Sequence, residues 1–358
     1  MENSLLQYKE EVTKELHNIL AYWMEHTPDK ANGGFVGRID HDGVIYEDAP
    51  KGSVLNSRIL WSFSAAYNLT GNNEYLATAE RAFDCLVHHF FDPNFGGVYW
   101  TVDASGKPLD TKKQIYALSF AIYGASEYFL AAKDERAKAL AQQLYYDIVK
   151  YSYDVKYGGY LEALSQNWQE LDDLRLSDKD ANEKKSMNTH LHVLEAFANL
   201  YRIWQDEDLK ERIEELVTLF LERMIGMDNH LILFFSDRWE PRSTTISYGH
   251  DIEAAWLIQE AAALVGNEAL LMRVKERVVV VAKAAAEGLA SDGGLWYEHD
   301  RSTGHTVREK HWWPQAEAMV GFLHAWQESG EKVFLQQSIQ SWNFIKAHIL
   351  DKERGEWV

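Results

Sequence analysis

Two kinds of helix alternate along the chain, and their apolar patterns distinguish them. The first kind is amphipathic: near the N-terminus one apolar stripe, spaced three to four residues apart, lies opposite Lys and Glu (Leu5, Tyr8, Val12, Leu16, Ile19, Leu20, Trp23). The second kind is apolar nearly all round, over residues 54–67, 116–130, 191–201, 252–264 and 314–326. A helix that is apolar on every side is buried on every side. The alternation predicts an outer layer of helices around an inner one.

A repeated signature separates the two kinds of helix. A Gly-Gly pair followed by apolar and aromatic residues begins at Gly33, Gly96, Gly158 and Gly293, at intervals of 63, 62 and 135 residues. A glycine-free variant, residues 229–235, fills the long interval, and a weak sixth copy at Gly355 follows 62 residues after Gly293. Each copy opens a predicted short β-hairpin. In the first, residues 35–39 alternate, Asp42-Gly43 turns and 44–46 return; in the second, 98–102 lead to a turn at 104–106.

Six units of outer helix, hairpin and inner helix predict an all-α toroid in which the hairpins connect the two layers. An open solenoid of the same repeats is the alternative. We favour closure because the inner helices are apolar on both flanks. No linker interrupts the period, so we expect one domain over residues 1–358. The sixth unit stops inside its hairpin at Val358, so the sixth inner helix is absent, and we expect a chain shortened at its C-terminus.

Composition and charge narrow the classes of partner. The net charge of −19 and the absence of a basic block argue against nucleic acid, because phosphate binding needs clustered Lys and Arg. The charged N-terminus has no signal-peptide core, and no apolar run approaches the ~20 residues of a membrane helix. The single Cys85 lies among apolar residues and predicts a buried, inert thiol. We therefore expect a cytoplasmic protein that contacts no membrane, and nothing in the sequence demands more than a monomer.

The polar exceptions of the inner helices cluster at their N-terminal ends. All inner helices follow their hairpins in the same direction, so these ends should share one rim over an apolar floor, as in small-ligand sites. The set comprises Asn56, Arg58, Tyr116, Asn188, His190, His192, His250, Asp251, Glu253, Trp312, Trp313, Gln315 and Glu317. Helix N-termini at this mouth suit an oxyanion or enediolate. The polar segment 174–186 is expected to form a loop over the same rim.

For several of these residues a purely structural role is an alternative explanation. His250 and Glu253, at i and i+3, could be a satisfied buried pair, and one of Trp312 and Trp313 is expected in the core. His190 and His192 point to different faces of a helix. The sequence offers no metal-spaced cluster, so we expect neither a metal nor another cofactor. Arg58 is the strongest single indication of a functional site. A buried guanidinium needs a partner, and no acidic residue lies within one helical turn of Arg58.

Four strings make the chain recognisable: residues 56–61 (NSRILW), 186–192 (SMNTHLH), 247–253 (SYGHDIE) and 311–317 (HWWPQAE). Together, in order along the whole chain, they resemble the cellobiose 2-epimerases of the N-acylglucosamine 2-epimerase superfamily. The resemblance implies an (α/α)6 barrel, in agreement with the toroid. It also implies epimerisation at C2 of the reducing-end glucose of β-1,4-linked disaccharides such as cellobiose and lactose, so the expected partner is a small-molecule sugar.

The resemblance also implies roles for individual residues. His250 matches one of two acid/base histidines, with Glu253 beside it, and Arg58 matches the arginine that contacts the oxygens of the reacting carbons. His192 matches the histidine that assists ring opening. The positions that line the sugar pocket are Tyr116, Asp180, Asn188 and Trp313. The chemistry fits, because inversion passes through a planar enediolate that must be reprotonated on its other face, and His exists in either form near neutral pH.

The sequence departs from the family pattern in one feature, and several alternative functions remain. The family's second acid/base histidine lies on the sixth inner helix, which these 358 residues do not include; if the chain ends here, we expect severely reduced epimerisation. N-acylglucosamine 2-epimerase and mannose or glucose isomerase share the enediolate step and are close alternatives. An α/α-barrel glycoside hydrolase would use two carboxylates, for which Asp251, Glu253 and Glu317 are candidates. A non-enzymatic sugar-binding protein is the third possibility.

Overall fold

The computed structural model describes residues 2–357, over which eleven α-helices alternate between two layers. The outer helices are α1 (Glu2–His26), α3 (Asn73–Cys85), α5 (Glu135–Tyr151), α7 (Glu207–Leu219), α9 (Glu268–Ala285) and α11 (Lys332–His348). The inner helices are α2 (Ser53–Thr70), α4 (Ile115–Ala132), α6 (Met187–Tyr201), α8 (Tyr248–Val265) and α10 (Trp312–Ser329). Single π-helical turns, Leu86–Phe90 and Phe220–Met224, extend α3 and α7, and a 3₁₀ turn, Ala286–Gly288, extends α9.

The helices form the predicted (α/α)6 barrel. Consecutive inner helices pack side by side from α2 to α10, and outer helices pack against the inner ones. The first and last outer helices close the outer layer: Tyr8 Oη lies 2.9 Å from Ser338 Oγ, and Trp342 Nε1 donates to Glu11 at 2.8 Å. Tyr8, Trp342 and Ile345 are buried in a small apolar cluster at this seam. The outer layer is therefore a closed ring, and the open solenoid is wrong.

Between Glu2 and Trp357 the inner layer contains five helices, as counted from the apolar pattern. Apolar residues on the first and the fifth of them are exposed: Leu55 and Leu69 on α2, and Val320 on α10. Among the described residues, α4 is also long and apolar enough to cross a membrane, which the sequence had not indicated. That helix is 67% buried inside the ring, as expected for a core helix.

All six copies of the signature form a tight turn that contains a residue in the left-handed conformation. Each is closed by an antiparallel bridge, from Pro28–Phe35 in the first repeat to Leu350–Trp357 in the last. In the glycine-free fourth copy, Asn229 takes the left-handed conformation (φ 70°) that Gly33 and Gly96 take elsewhere. Asn tolerates this region better than other residues with a Cβ, which explains why the variant keeps the turn. The six-fold repeat is confirmed.

The strands are shorter than predicted, and most of them pair between repeats. They are β1 (Lys51–Gly52), β2 (Thr101–Val102), β3 (Pro108–Asp110), β4 (Lys113–Gln114), β5 (Ala163–Leu164), β6 (Lys185–Ser186), β7 (Phe234–Phe235), β8 (Thr245–Ser247), β9 (Glu298–Asp300) and β10 (His305–Val307). The first hairpin is reduced to a single bridge, Ile39–Ile45, whereas β2–β3 forms the second as predicted. In four places the short strand that precedes an inner helix pairs with a strand in the hairpin of the next repeat. These pairs are β1–β2, β4–β5, β6–β7 and β8–β9. These pairs align the inner-helix N-termini on one rim.

Ion pairs between lysine and aspartate anchor the same segments. In four repeats the lysine that precedes an inner helix contacts an aspartate of the Gly-Gly turn: Lys51–Asp29 (2.7 Å), Lys113–Asp92 (2.9 Å), Lys185–Asp154 (2.8 Å) and Lys310–Asp292 (2.6 Å). The first three pairs are largely buried, whereas Asp292 of the fourth is exposed. Lys113 and Asp92 are fully buried. Removing one partner of such a pair leaves an uncompensated charge in the interior, which is strongly destabilising. The pairs therefore hold each hairpin against the helix that carries the site residues.

Candidate active site

Polar side chains from all five inner helices point into the ring near its N-terminal rim. They are Arg58 of α2, Tyr116 of α4, His192 of α6, His250 and Glu253 of α8, and Trp313 and Glu317 of α10. The catalytic residues expected from the sequence, Arg58, His192, His250 and Glu253, thus lie close together inside the ring. Hydrogen bonds, aromatic contacts and electrostatic effects connect them.

Arg58 finds its partners on the neighbouring helix. Its guanidinium donates a 3.2 Å hydrogen bond to the Tyr116 hydroxyl and lies 4.3 Å from the centre of the Phe120 ring. Glu253 and Glu195 also favour the cation whenever they are ionised. The expectation that its partner comes from another unit is confirmed. The expectation of burial is wrong, because the Arg58 side chain stays open to solvent at the mouth, where it can reach a ligand.

His192 lies between residues of α4 and a residue of α8. Its ring is 4.6 Å from the Phe120 ring and 5.0 Å from the Tyr116 ring, between centroids. Nδ1 is 2.8 Å from Glu195 Oε2, and Nε2 is 3.8 Å from Glu253 Oε1. Burial lowers the pKa of His192, and the hydrogen bond to Glu195 opposes that effect.

His250 is held by its own helix start and by a tryptophan. Its Nδ1 lies 2.8 Å from Ser247 Oγ, and its ring is 4.8 Å from the Trp313 ring. Its hydrogen bond goes to Ser247 rather than to Glu253, so the interpretation of these two as a simple satisfied pair is wrong. Desolvation, with a smaller contribution from the charge of His192, lowers the pKa of His250 to about 3. The imidazole is therefore neutral at physiological pH and can accept a proton.

Two carboxyl groups share the floor of the site. Glu317 accepts a 2.9 Å hydrogen bond from Trp256 Nε1, and burial raises its pKa to about 7. Desolvation, followed by repulsion from Glu317 and Glu195, raises the pKa of Glu253 well above its ordinary value. Glu253 therefore holds a proton more readily than an exposed carboxyl group does, and in its protonated form it can donate a hydrogen bond, as an ionised carboxylate cannot.

The residues expected to line the sugar pocket lie around the mouth. The amide oxygen of Asn188 is buried and has no hydrogen-bond partner among the described residues. Asp180 lies in the irregular segment before β6, where its carboxylate accepts from Ser177, and its charge contributes to raising the pKa of Tyr297 and of Glu298. The Tyr297 ring is 6.3 Å from the Trp313 ring. The loop 174–186 therefore approaches the fifth hairpin beside the site.

Four polar residues predicted at the rim turn away from it. Each bonds instead to the backbone of the surrounding layer: Asn56 to Ala82 O, His190 to Tyr160 N, Asp251 to Leu231 N and His230, and Gln315 to both backbone groups of Leu295. Their buried polar groups are satisfied there, so they stabilise the ring rather than face a ligand.

Neither rim tryptophan is in the core, in contrast to the sequence-based expectation. Trp312 is 49% exposed, and Trp313 is half-buried against His250. Sequence reasoning also missed Phe120, Glu195 and Trp256. Glu195 carried a detectable signal, since it is an acid placed three residues after His192 in an otherwise apolar helix. Nothing in the sequence distinguished Phe120 and Trp256, because apolar residues in apolar helices are ordinary core residues.

Comparison with known proteins identifies the family of the chain. A profile of the N-acylglucosamine 2-epimerase (GlcNAc 2-epimerase) family matches residues 33–358. The chain is 49% identical over 351 residues to a cellobiose 2-epimerase of Bacteroides fragilis, covering 98% of this chain and 90% of that protein. A cellobiose 2-epimerase of Dictyoglomus turgidum is 38% identical, with coverage of 98% and 89%.

Solved structures show the same similarity. The structure of cellobiose 2-epimerase from Bacillus thermoamylovorans superposes with a TM-score of 0.94 at 37% identity, covering 98% of this chain and 90% of that one. A D-mannose isomerase superposes with a TM-score of 0.85, but at 19% identity it supports the fold alone. The chain belongs to the N-acylglucosamine 2-epimerase family and is a carbohydrate epimerase.

Proposed function

We propose that this protein inverts C2 of the reducing-end glucose of β-1,4-linked disaccharides, converting cellobiose to glucosyl-mannose and lactose to epilactose. The observation that carries the proposal is the convergence of Arg58, His192 and His250 inside the ring of helices. The cellobiose 2-epimerases among its relatives support the choice of a disaccharide. The cytoplasmic location and the monomeric state stay predictions from the sequence.

The reaction begins once the sugar ring has opened to the aldehyde, which makes the proton on C2 acidic. His250 is the proposed base. When Nδ1–H donates to Ser247 Oγ, the lone pair of the neutral ring is on Nε2, which can then accept the C2 proton. The low pKa of His250 keeps this nitrogen unprotonated before the sugar binds. C2 is inverted when a donor other than His250 returns a solvent-exchanged proton to the opposite face of the planar intermediate.

Arg58 stabilises the negative charge that develops on the oxygens of C1 and C2. Its guanidinium is held by Tyr116 and Phe120 before the sugar arrives, so no reorganisation is needed when the charge appears. Arginine keeps its proton at any physiological pH, so it stabilises the enediolate without quenching it. Glu253 is proposed to contact a sugar oxygen, to which it can donate a hydrogen bond in its protonated form.

The remaining contacts position the sugar. The unpartnered amide oxygen of Asn188 can accept a hydrogen bond from a hydroxyl, and Trp313 presents an aromatic face next to His250. Asp180 and Tyr116 are proposed to bind further hydroxyls. An unpaired buried polar atom is costly, so a sugar hydroxyl at Asn188 would relieve that cost.

Incubation of cellobiose with the protein in D2O, followed by NMR, tests this function. Deuterium at C2 together with glucosyl-mannose is the expected result. Deuterium at C2 of glucose without a mannose product would show a proton abstracted and returned on one face. Free glucose would contradict the proposal in favour of hydrolysis, and an unchanged spectrum would leave only sugar binding.

The same measurement with other sugars tests the choice of substrate. Lactose should exchange at a rate comparable to cellobiose, whereas N-acetylglucosamine and mannose should exchange much more slowly. Faster exchange with either monosaccharide would reassign the substrate within the family. A ketose product would show that the intermediate is also protonated at C1.

A further inference from the structure

A carboxylate that is absent from the roles assigned above contacts one of the site histidines. Glu195 lies one helical turn after His192 on α6, and its Oε2 is 2.8 Å from His192 Nδ1. The other ring nitrogen, Nε2, lies 3.8 Å from Glu253 Oε1. The two acids thus face opposite edges of one imidazole. The His192 and Glu195 side chains are only 6% and 12% exposed, so water screens this contact little.

The contact determines which nitrogen of His192 carries its proton. A carboxylate accepts hydrogen bonds and cannot donate one, so a 2.8 Å contact requires a proton on Nδ1. In the neutral imidazole the lone pair is then on Nε2, the nitrogen that faces the cavity. Partners of this kind fix the tautomer and the orientation of functional histidines in other proteins.

We propose that Glu195 is a positioning residue that makes His192 a proton shuttle for opening the sugar ring. The inference rests on the proposed function, because it assumes that a reducing sugar occupies the cavity. Glu195 itself touches no sugar atom in this proposal. It acts through His192, by holding the tautomer and by stabilising the imidazolium form.

Ring opening needs no external acid or base in this arrangement. His192 Nε2 takes the proton from the hydroxyl on C1, and the ring becomes an imidazolium paired with Glu195. The C1–O5 bond then breaks, C1 becomes the aldehyde carbon, and the same proton passes from Nε2 to O5. Both oxygens are bonded to C1, so one nitrogen can serve both. The histidine ends neutral, and atoms and charge balance.

The surroundings of His192 explain why a carboxylate is needed. The charged and titratable groups around His192 and Glu195 are Arg58 from α2, Tyr116 and Tyr123 from α4, His250, Glu253 and Glu260 from α8, and Glu317 from α10. Burial lowers the pKa of His192, Glu195 raises it, and Arg58 lowers it further. Glu195 is therefore the group that makes the imidazolium accessible.

Variants of Glu195 test the proposal. Glu195→Gln keeps an acceptor for Nδ1–H but loses the charge, whereas Glu195→Ala loses both. We expect Glu195→Gln to lower kcat for cellobiose by about ten- to a hundred-fold with KM within about twofold, and Glu195→Ala to lose more. The limb of the pH profile that reports His192 should move to lower pH, because the imidazolium has lost its counter-charge.

Ring opening can also be measured apart from epimerisation. Exchange between the two anomers of cellobiose, followed by NMR, should be accelerated by the wild-type protein and much less by Glu195→Gln. Glu260→Gln is the matched control, since Glu260 is an exposed acid of α8 that also lies near Glu195. We expect the control to keep the wild-type rate and pH profile.

Two outcomes for the Glu195 variants would overturn the inference. One is a Glu195→Gln variant with the wild-type kcat, pH profile and anomer exchange. The other is a loss of kcat with no pH shift and a lower melting temperature, which would indicate a structural role. If the wild-type protein shows no exchange at C2, the proposed function fails, and the ¹⁵N shifts of His192 still decide the inference. A proton on Nε2 rather than Nδ1 would contradict it.

Discussion

The Arg58 guanidinium donates to the Tyr116 hydroxyl at 3.2 Å while its plane rests 4.3 Å from the Phe120 ring centre. One side chain thus uses both properties that distinguish arginine from lysine, a fixed fork of N–H donors and a flat face that stacks on an aromatic ring. The contacts with Tyr116 and Phe120 fix the orientation of the guanidinium before a ligand is present.

Replacement of Arg58 by Lys should therefore be far from conservative. We expect kcat/KM for cellobiose to fall by about 10²- to 10³-fold, because an ammonium cannot stack on Phe120 and present a pair of donors at once. Steady-state kinetics would measure the loss. Arg38→Lys is the matched control: Arg38 stacks on Tyr46 at the same 4.3 Å but lies on the exposed first hairpin. Equal effects at both positions would contradict the role of Arg58.

His250→Ala should abolish deuterium exchange at C2 of cellobiose. A positioned base contributes roughly 10²- to 10⁴-fold, so the residual rate should fall by at least the lower figure. NMR in D2O would follow it, with circular dichroism to verify folding. His88→Ala, an exposed histidine after α3, serves as the control and should keep full exchange. Persistent exchange in His250→Ala would mean that another group removes the proton.

The buried Glu162 should make stability fall as pH rises. Desolvation raises its pKa from 4.5 to about 7, although Ser186 N and Thr189 Oγ1 hydrogen-bond to it. The native state therefore binds this proton more tightly than the unfolded chain does. The resulting stability is fully present below pH 4.5 and is lost as pH rises through 7.

Glu162→Gln removes that dependence, since an amide does not ionise in this range. Between pH 5 and pH 8 the free energy of unfolding of the variant, relative to the wild type, should rise by up to about 3 kcal/mol. Urea denaturation at the two pH values measures both differences. A difference between variant and wild type that is the same at pH 5 and pH 8 would show that Glu162 titrates normally.

Gly321 should not accept even a methyl group. A Cβ there would lie 2.5 Å from Ile252 Cγ1 and 2.6 Å from Ile252 O, where α10 packs on α8. Alanine ordinarily favours a helix over glycine by about 1 kcal/mol, but overpacking costs about 1–3 kcal/mol. We expect Gly321→Ala to lower the melting temperature. Gly52→Ala is the control, because a Cβ at Gly52 meets no atom within 4 Å and its φ of −96° suits alanine. An unchanged melting temperature for Gly321→Ala would contradict this account.

Much of this architecture could be predicted from the sequence, because it depends on local periodicity. Apolar spacing separated inner from outer helices, and the Gly-Gly signature located all six turns, with Asn229 in the left-handed conformation confirming the copy without glycine. Four strings of residues further indicated the family, which the match over residues 33–358 confirmed. Paired strands between repeats could not be predicted, since strands of two or three residues leave no alternating pattern.

The sequence by itself therefore determined the repeat, the two layers and the rim to which the polar residues belong. It could not say which of them face the cavity. In three of the inner helices two of these polar residues are only two positions apart, so the members of each pair point to opposite sides of the helix. The pairs are Asn56 and Arg58, His190 and His192, and Asp251 and Glu253. Helical periodicity defines that relative direction, whereas the rotation of each helix in the ring is set by packing against its neighbours. Only the tertiary structure therefore placed Arg58, His192 and Glu253 inside, and turned Glu195 against His192.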